Sequence, residues 1–159
     1  MIFSSGLTST GEDECPTPQY VFDYLDHEFH FDLDVCATHY NAKCKEYYTK
    51  EDDGLKQPWF GTVFMNPPYG RTIDKWVAKA VEYAKNGGVT VAVLPSRTDN
   101  RWWQTFVMQS TEIRFVQGRF NFDGYNSCAP FPTAIAIFGT PKYPKISTIS
   151  IPKPNREGA

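Results

Sequence analysis

A chain of 159 residues with 41% hydrophobic residues is long enough to bury one packed core and too short for two ordinary domains. A formal charge of −2 excludes a protein that holds nucleic acid by bulk electrostatics, so contact with a polyanion must come from local clusters. No apolar stretch approaches a membrane span, and Met1-Ile2-Phe3-Ser4-Ser5 lacks the basic start and long apolar middle of a signal peptide, so a soluble, intracellular protein is expected.

Residues 1–14 are small, polar and acidic without periodicity, and they read as a flexible arm. Thr17-Pro18-Gln19 reads as a helix start, with Thr17 as N-cap and Pro18 at the first helical position, where its missing N–H costs nothing. Tyr20, Val21, Tyr24 and Leu25 supply the apolar stripe of that helix. Phe31–Ala37 alternates and then turns apolar, as a strand entering a core does. After a polar, irregular stretch, Thr62-Val63-Phe64-Met65 predicts a buried strand. It must stop at Asn66, because Pro67 and Pro68 have no N–H with which to continue a ladder. Over residues 72–84, Ile73, Trp76, Val77, Ala80, Val81 and Ala84 recur at helical spacing. Gly87–Pro95 reads as a second buried strand, residues 100–109 as a helix, Glu112–Val116 as a strand, Arg119–Phe122 as a short one and Pro132–Gly139 as the last. These elements form one domain over 15–139. The tail over 140–159, with Pro141, Pro144, Pro152 and Pro154 among lysines, predicts an extended segment.

Strand, helix and strand alternate through the middle of the chain, which calls for an α/β fold: a mostly parallel sheet flanked by helices. In such sheets ligands bind beyond the carboxyl ends of the strands. Asp34-Val35-Cys36-Ala37 and Asn66-Pro67-Pro68-Tyr69 both fall at such ends. The four cysteines, Cys15, Cys36, Cys44 and Cys128, show no CxxC pairing, and free thiols are expected. His27, His30, His39, Cys36 and Cys44 lie close in sequence, but they spread over a helix end and a strand rather than forming tight ligand pairs, so no metal site is expected. Aromatic residues make up 16% of the chain, which suits large core side chains, base stacking or both.

The Asn66 side-chain carbonyl and the Pro67 carbonyl offer two acceptors on a backbone that proline has already restricted. Two fixed acceptors suit a planar amino group with two N–H bonds, whose lone pair is delocalised into the ring or carbonyl beside it. Accepting both hydrogens favours a pyramidal, nucleophilic nitrogen as an electrophile approaches, so the stabilisation grows toward the transition state. The Tyr69 ring, just past the turn, can stack on a flat base rotated out of a duplex. Asn-Pro-Pro alone would also serve as a plain turn. Its place after a buried strand and before a tyrosine and an amphipathic helix favours the functional reading.

With these residues in view, the chain resembles a known family. Asn66-Pro67-Pro68-Tyr69 is similar to the catalytic motif of amino-group methyltransferases, and the stretches TPQYVFDYL, DLDVCATHYNAKC, YYTKEDDGLKQPWFGTVFMNPPYG, LPSRTDNRWW, GRFNF and APFPTAIAIFG together resemble the small phage-type DNA N-6-adenine methyltransferases over residues 15–139. The resemblance implies a Rossmann-like class I methyltransferase fold of reduced size, S-adenosylmethionine as cofactor, and adenine in double-stranded DNA as methyl acceptor. It implies a catalytic role for Asn66, Pro67, Pro68 and Tyr69. Asp34 becomes the candidate for the cofactor's charged methionine end, with Cys36 and Ala37 small enough for close backbone approach in a turn that carries no glycine. Asp52 or Asp53 would meet its adenosine, and Thr17 and Gln19 at a helix N-terminus would receive its carboxylate. Arg97, Arg101, Trp102 and Arg119 are the candidate DNA contacts. A phage or prophage role in marking DNA against restriction follows at the family level. A chain this small is expected to carry no separate recognition domain, which would leave sequence reading to loops or to a second copy in a homodimer.

Two other readings keep part of this chemistry. A protein glutamine methyltransferase uses the same tetrapeptide on a side-chain amide. A non-catalytic nucleic-acid binder would retain the fold alone; the mild acidity of the chain and the intact tetrapeptide weigh against it.

Overall fold

The computed structural model describes residues 15–120, 131–139 and 145–155; the expected arm over 1–14 lies outside them. Helix α1, Gln19–Phe29, buries Val21, Phe22 and Leu25, the stripe its spacing dictates. It stops at His30, whose backbone turns left-handed (φ 55°) while its N–H donates to the Asp26 carbonyl. Short strands β1, Leu33–Asp34, and β2, Glu46–Tyr47, follow, then β3, Thr62–Met65. Helix α2, Ile73–Lys85, buries Ile73, Trp76, Val77, Ala80 and Val81. Strand β4, Val89–Pro95, leads to α3, Arg101–Thr105, and then β5, Glu112–Val116, β6, Thr133–Phe138, and β7, Ile146–Ile149.

Among the described residues, seven strands form one sheet in the order β2-β1-β3-β4-β6-β5-β7. Every neighbouring pair is parallel except β4 with β6 and β5 with β6, so β6 alone runs the other way. β4 and β6, apolar on both faces, form the centre and pair over six residues, from Thr90 against Phe138 to Pro95 against Thr133. From β1 the chain pairs β2 on one side and β3 on the other, which opens a crevice at the carboxyl ends of β1 and β3. Much of the aromatic content is core: Phe22 meets Phe64 edge-on at 5.1 Å and Phe31 at 5.5 Å, and Phe31 meets Phe64 at 5.3 Å. Among the described residues no helix is long and apolar enough to cross a membrane.

The expected strand over Phe31–Ala37 is regular only at Leu33–Asp34. Its remaining groups still pair, Asp32 N–H with the Thr62 carbonyl and Ala37 N–H with the Tyr48 carbonyl, but the Asp34 side chain pulls the following loop off the ladder. The expected helix over 100–109 breaks at Phe106 into α3 and a 3₁₀ turn at Val107–Gln109. So short a helix is held by burial of Trp103 and Val107 rather than by its own propensity. Arg119 and Phe120, expected to open a short strand, lie outside regular structure, and the rest of that segment is outside the described residues. The sheet also continues past residue 139, because β7 pairs in parallel with β5, and Ile149 and Ile151 enter the core.

Candidate active site

β3 ends where its proline pair begins, and the residues beyond it are tied to a distant piece of chain. Asn66 Nδ2 donates to the Cys15 carbonyl at 2.6 Å and to Thr17 Oγ1 at 2.9 Å, while the Tyr69 hydroxyl donates to Asn66 Oδ1 at 2.9 Å. Thr17 therefore does not cap α1 as expected: the N-cap is Pro18, with no side-chain cap bond, and the buried Thr17 hydroxyl serves Asn66 instead. Cys15 is disulfide-bonded, against the expectation of free thiols, whereas Cys36 and Cys44 are free.

Tyr69, whose ring the sequence offers for stacking on a base, lies inside the fold in this structure. It is 6% exposed, and its ring meets Phe131 edge-on at 5.4 Å. Burial pushes its phenol well above the ordinary range, with Arg97 pulling in the opposite sense, so at neutral pH the hydroxyl is a proton donor. The inward position gives the ring an apolar neighbour in Phe131 and the hydroxyl a fixed acceptor in Asn66 Oδ1.

A cavity of about 710 Å³ opens beside this turn, in the range of about 300–1,000 Å³ found for small-molecule sites. Cys36 and Ala37 line it from the end of β1, Asp53, Gly54 and Leu55 from the following loop, Asn66 and Pro68 from the end of β3, and Trp76 from α2. A separate recess of about 20 Å³, lined by Thr17, Asp34, Lys43 and Asn66 and sharing Cys36 and Asn66 with the cavity, has room for one water molecule or a small polar group. Asp34 is 2% exposed; its Oδ1 accepts from the Cys36 N–H at 3.2 Å and its Oδ2 from the Lys43 N–H at 3.1 Å. Burial raises its pKa to about 6 in spite of these two bonds and the nearby Lys43 charge.

Of the two neighbouring carboxylates, Asp53 lines the cavity and Asp52 does not. Asp52 accepts from the N–H and hydroxyl of Thr49 at 2.8 and 2.9 Å, which holds its pKa below the usual carboxylate range and closes a turn. Gln19 also stays out of the cavity: it is exposed, accepting from Lys43 Nζ and donating to Asp23. Cys36 and Ala37 line the cavity, and the loop facing them packs tightly on the end of β1. A Cβ on Gly54 would lie 2.5 Å from the Val35 carbonyl oxygen and 3.0 Å from the Trp76 ring, so no other residue fits there without backbone movement.

Lys79 of α2 holds that loop and is missed by the sequence reading. Its ammonium donates to the carbonyls of Gly54, Leu55 and Gln57 at 3.1, 2.8 and 2.6 Å and lies 5.1 Å from the Trp59 ring centroid. Burial depresses its pKa, with Asp53 opposing. The available signal is a lysine beside the apolar stripe, three residues past Trp76 and one before Ala80. Arg97, Arg101 and Arg119 are exposed; Arg97 sits 6.0 Å from the Phe131 ring centroid. Trp102 is half-buried against core Trp103. Arg71, exposed two residues after Tyr69, is a further cation that the sequence reading left out.

A mostly parallel sheet with Asn-Pro-Pro-Tyr at the end of β3, beside a cavity at the crevice between β1 and β3, defines a Rossmann-like methyltransferase of amino groups. A family model described as DNA N-6-adenine-methyltransferase (Dam) matches residues 4–149, and the chain belongs to that family. It is 31% identical over 120 residues to the DNA N-6-adenine-methyltransferase of Haemophilus phage HP1 (strain HP1c1), covering 73% of this chain and 69% of the relative. It is 38% identical over 65 residues to the Escherichia coli (strain K12) protein named "Putative methyltransferase YfdM", covering 36% of this chain and 71% of that one. The family is one of enzymes that need a methyl donor and act on adenine in DNA.

Proposed function

We propose that the protein transfers a methyl group from S-adenosylmethionine to the exocyclic amino group of adenine in double-stranded DNA, with Asn66-Pro67-Pro68-Tyr69 as its catalytic segment. One observation carries this reading: Asn66 and Pro68 line the same cavity as Cys36, Ala37 and Asp53, so donor and acceptor can meet at the end of β3. The donor's size and mixed polarity fit that lining. Asp53 would meet the ribose hydroxyls, Leu55 and Trp76 a flat apolar ring, and the recess lined by Thr17 and Asp34 the charged methionine end. When bound, S-adenosylmethionine supplies a methyl group made electrophilic by its sulfonium sulfur.

The chain's own part is to hold and sharpen the amino group. Asn66 Oδ1 and the Pro67 carbonyl accept its two hydrogens, most strongly as the nitrogen pyramidalises. Oδ1 has two lone pairs, so it can keep the Tyr69 hydroxyl and take an amino hydrogen as well. Tyr69 and Phe131 must part or turn for a base to stack there. Family membership favours adenine in DNA over a glutamine side chain. The enzyme would work in the cytoplasm of a bacterial host, reading its site through loops or through a second copy in a homodimer. Incubation with labelled S-adenosylmethionine and duplex DNA, RNA or cell protein, followed by digestion, should return label as N6-methyladenine from the duplex. Label found in protein alone would overturn the reading.

Two measurements test the two ends of the site. The native state holds the Asp34 proton more tightly than the unfolded chain between the ordinary value of 3.8 and about 6. The stability this group contributes is therefore present at low pH and lost as pH rises through about 6. Donor binding runs the opposite way, because a cationic donor needs the ionised carboxylate: affinity should rise through about pH 6 and level off above it. Asp34→Asn should remove that step and cost about 1–3 kcal/mol in donor binding at pH 8. A step that survives in the variant places the pH dependence elsewhere. At the other end, Arg97→Ala and Arg101→Ala should each weaken duplex binding and reduce the slope of log affinity against log salt by about 1, with donor affinity unchanged. If both slopes match the wild type, the DNA does not cross this face.

A further inference from the structure

Both N–H bonds of the Asn66 amide are already committed. One points at the Cys15 carbonyl and one at Thr17 Oγ1, at 2.6 and 2.9 Å from Nδ2, which leaves Oδ1 as the end that accepts. A primary amide has nearly the same shape either way round, so its neighbours decide which end faces which side. The Cys15 carbonyl can only accept. In the flipped amide, Oδ1 would face that carbonyl oxygen at hydrogen-bond distance, and Nδ2 would face the side from which the target amino group brings N–H bonds of its own. Two donors facing each other cannot bond, and the amide would then repel the group it has to receive.

We propose that Thr17, together with the Cys15 carbonyl, is a positioning residue that locks the Asn66 amide with its oxygen toward the target amino group. The inference rests on the reading of Asn66 as the acceptor for that amino group. Thr17 is 4% exposed and Cys15 is 4% exposed, so water competes little for the amide hydrogens and each bond counts for more than it would at the surface. The two acceptors lie 49 and 51 residues before Asn66, in the segment leading into α1. That segment is anchored by Pro18, whose carbonyl accepts from the N–H groups of Val21 and Phe22 at 3.0 and 3.2 Å. The first turn of α1 therefore sets where the Thr17 hydroxyl stands, and through it which atom of Asn66 the substrate meets. This role is distinct from receiving the donor's carboxylate, because it acts on the methyl acceptor.

Thr17→Val keeps the shape and removes the acceptor; Thr17→Ser keeps the hydroxyl. With saturating S-adenosylmethionine and duplex DNA, so that any change in donor affinity does not enter, Thr17→Val should slow single-turnover methylation roughly tenfold and Thr17→Ser should stay within about twofold of wild type. In an Asn66→Ala background, Thr17→Val should cause no further loss, since no amide is left to orient. If Thr17→Val does not fold, Thr17→Ala should give the same ordering. The proposal is overturned by a Thr17→Val protein at the wild-type rate, by a loss confined to donor affinity, by Thr17→Ser as slow as Thr17→Val, or by an undiminished Thr17→Val effect on top of Asn66→Ala. A wild-type rate for Asn66→Ala alone would instead remove the underlying reading of Asn66.

Discussion

Asn66→Ala should lower the single-turnover methyl-transfer rate roughly a hundredfold or more, about 3 kcal/mol of transition-state stabilisation, while donor affinity barely changes. The physical reason is the timing of the interaction. An exocyclic amino group conjugated with its ring presents weakly polarised N–H bonds in the ground state. Those bonds sharpen as the nitrogen pyramidalises toward the methyl group, so an acceptor there is used most in the transition state, and its loss appears in turnover rather than in binding. The alternative, a turn that only ends β3, predicts the reverse pattern. Truncating Asn66 would lose its bonds to Cys15 and Thr17 and lower the melting temperature, while the folded fraction would methylate at the normal rate. A melting curve and a single-turnover rate on the same preparation separate the two, and a stable Asn66→Ala protein with the wild-type rate would sink the mechanism.

Arg114→Met should destabilise the fold by about 3–5 kcal/mol, and the cause lies in residues that do not line the cavity. Arg114 on β5 donates to Glu112 Oε1 at 2.8 Å and forms a two-pronged pair with Glu28 of α1 at 3.0 and 2.8 Å, with the Phe29 ring centroid 5.5 Å away. The Glu28 side chain is 40% exposed, so water can replace its partner at modest cost. Glu112 is 5% exposed and would be left as a carboxylate with its cation gone. Replacing both members, Glu112→Leu with Arg114→Met, should recover most of the loss, because a well-packed apolar pair removes the stranded charge. Urea midpoints of the single and double variants decide it. A double variant as unstable as the single would mean that the packing of the guanidinium, and not the charge left behind, holds α1 against β5.

The local elements of this protein are legible in its sequence because their causes are local. Apolar residues at helical spacing mark α1 and α2, apolar runs rich in β-branched residues mark β3, β4 and β6, and two prolines with no N–H force β3 to stop where the asparagine must be presented. The tetrapeptide, its place at a strand end and the class of chemistry it serves follow from that much. The short strands β2 and β7 do not, since two and four residues of mixed polarity become strands only when β1 and β5 offer them a ladder.

The roles of single polar groups were decided by the tertiary structure alone. Thr17 has the residue type and position of a helix cap, yet its hydroxyl bonds to Asn66 because packing α1 beside β3 brings them together across 49 residues. Asp52 and Asp53 are adjacent and chemically alike, and only the turn closed by Thr49 sends one away from the cavity and leaves the other on its wall. Tyr69 reads as a ring for stacking and folds inward, because Phe131 and Asn66 Oδ1 together offer its ring and hydroxyl more than water does. A pattern in sequence states what a residue can do; which of its hydrogen bonds it makes depends on partners that only the folded chain brings within 3 Å.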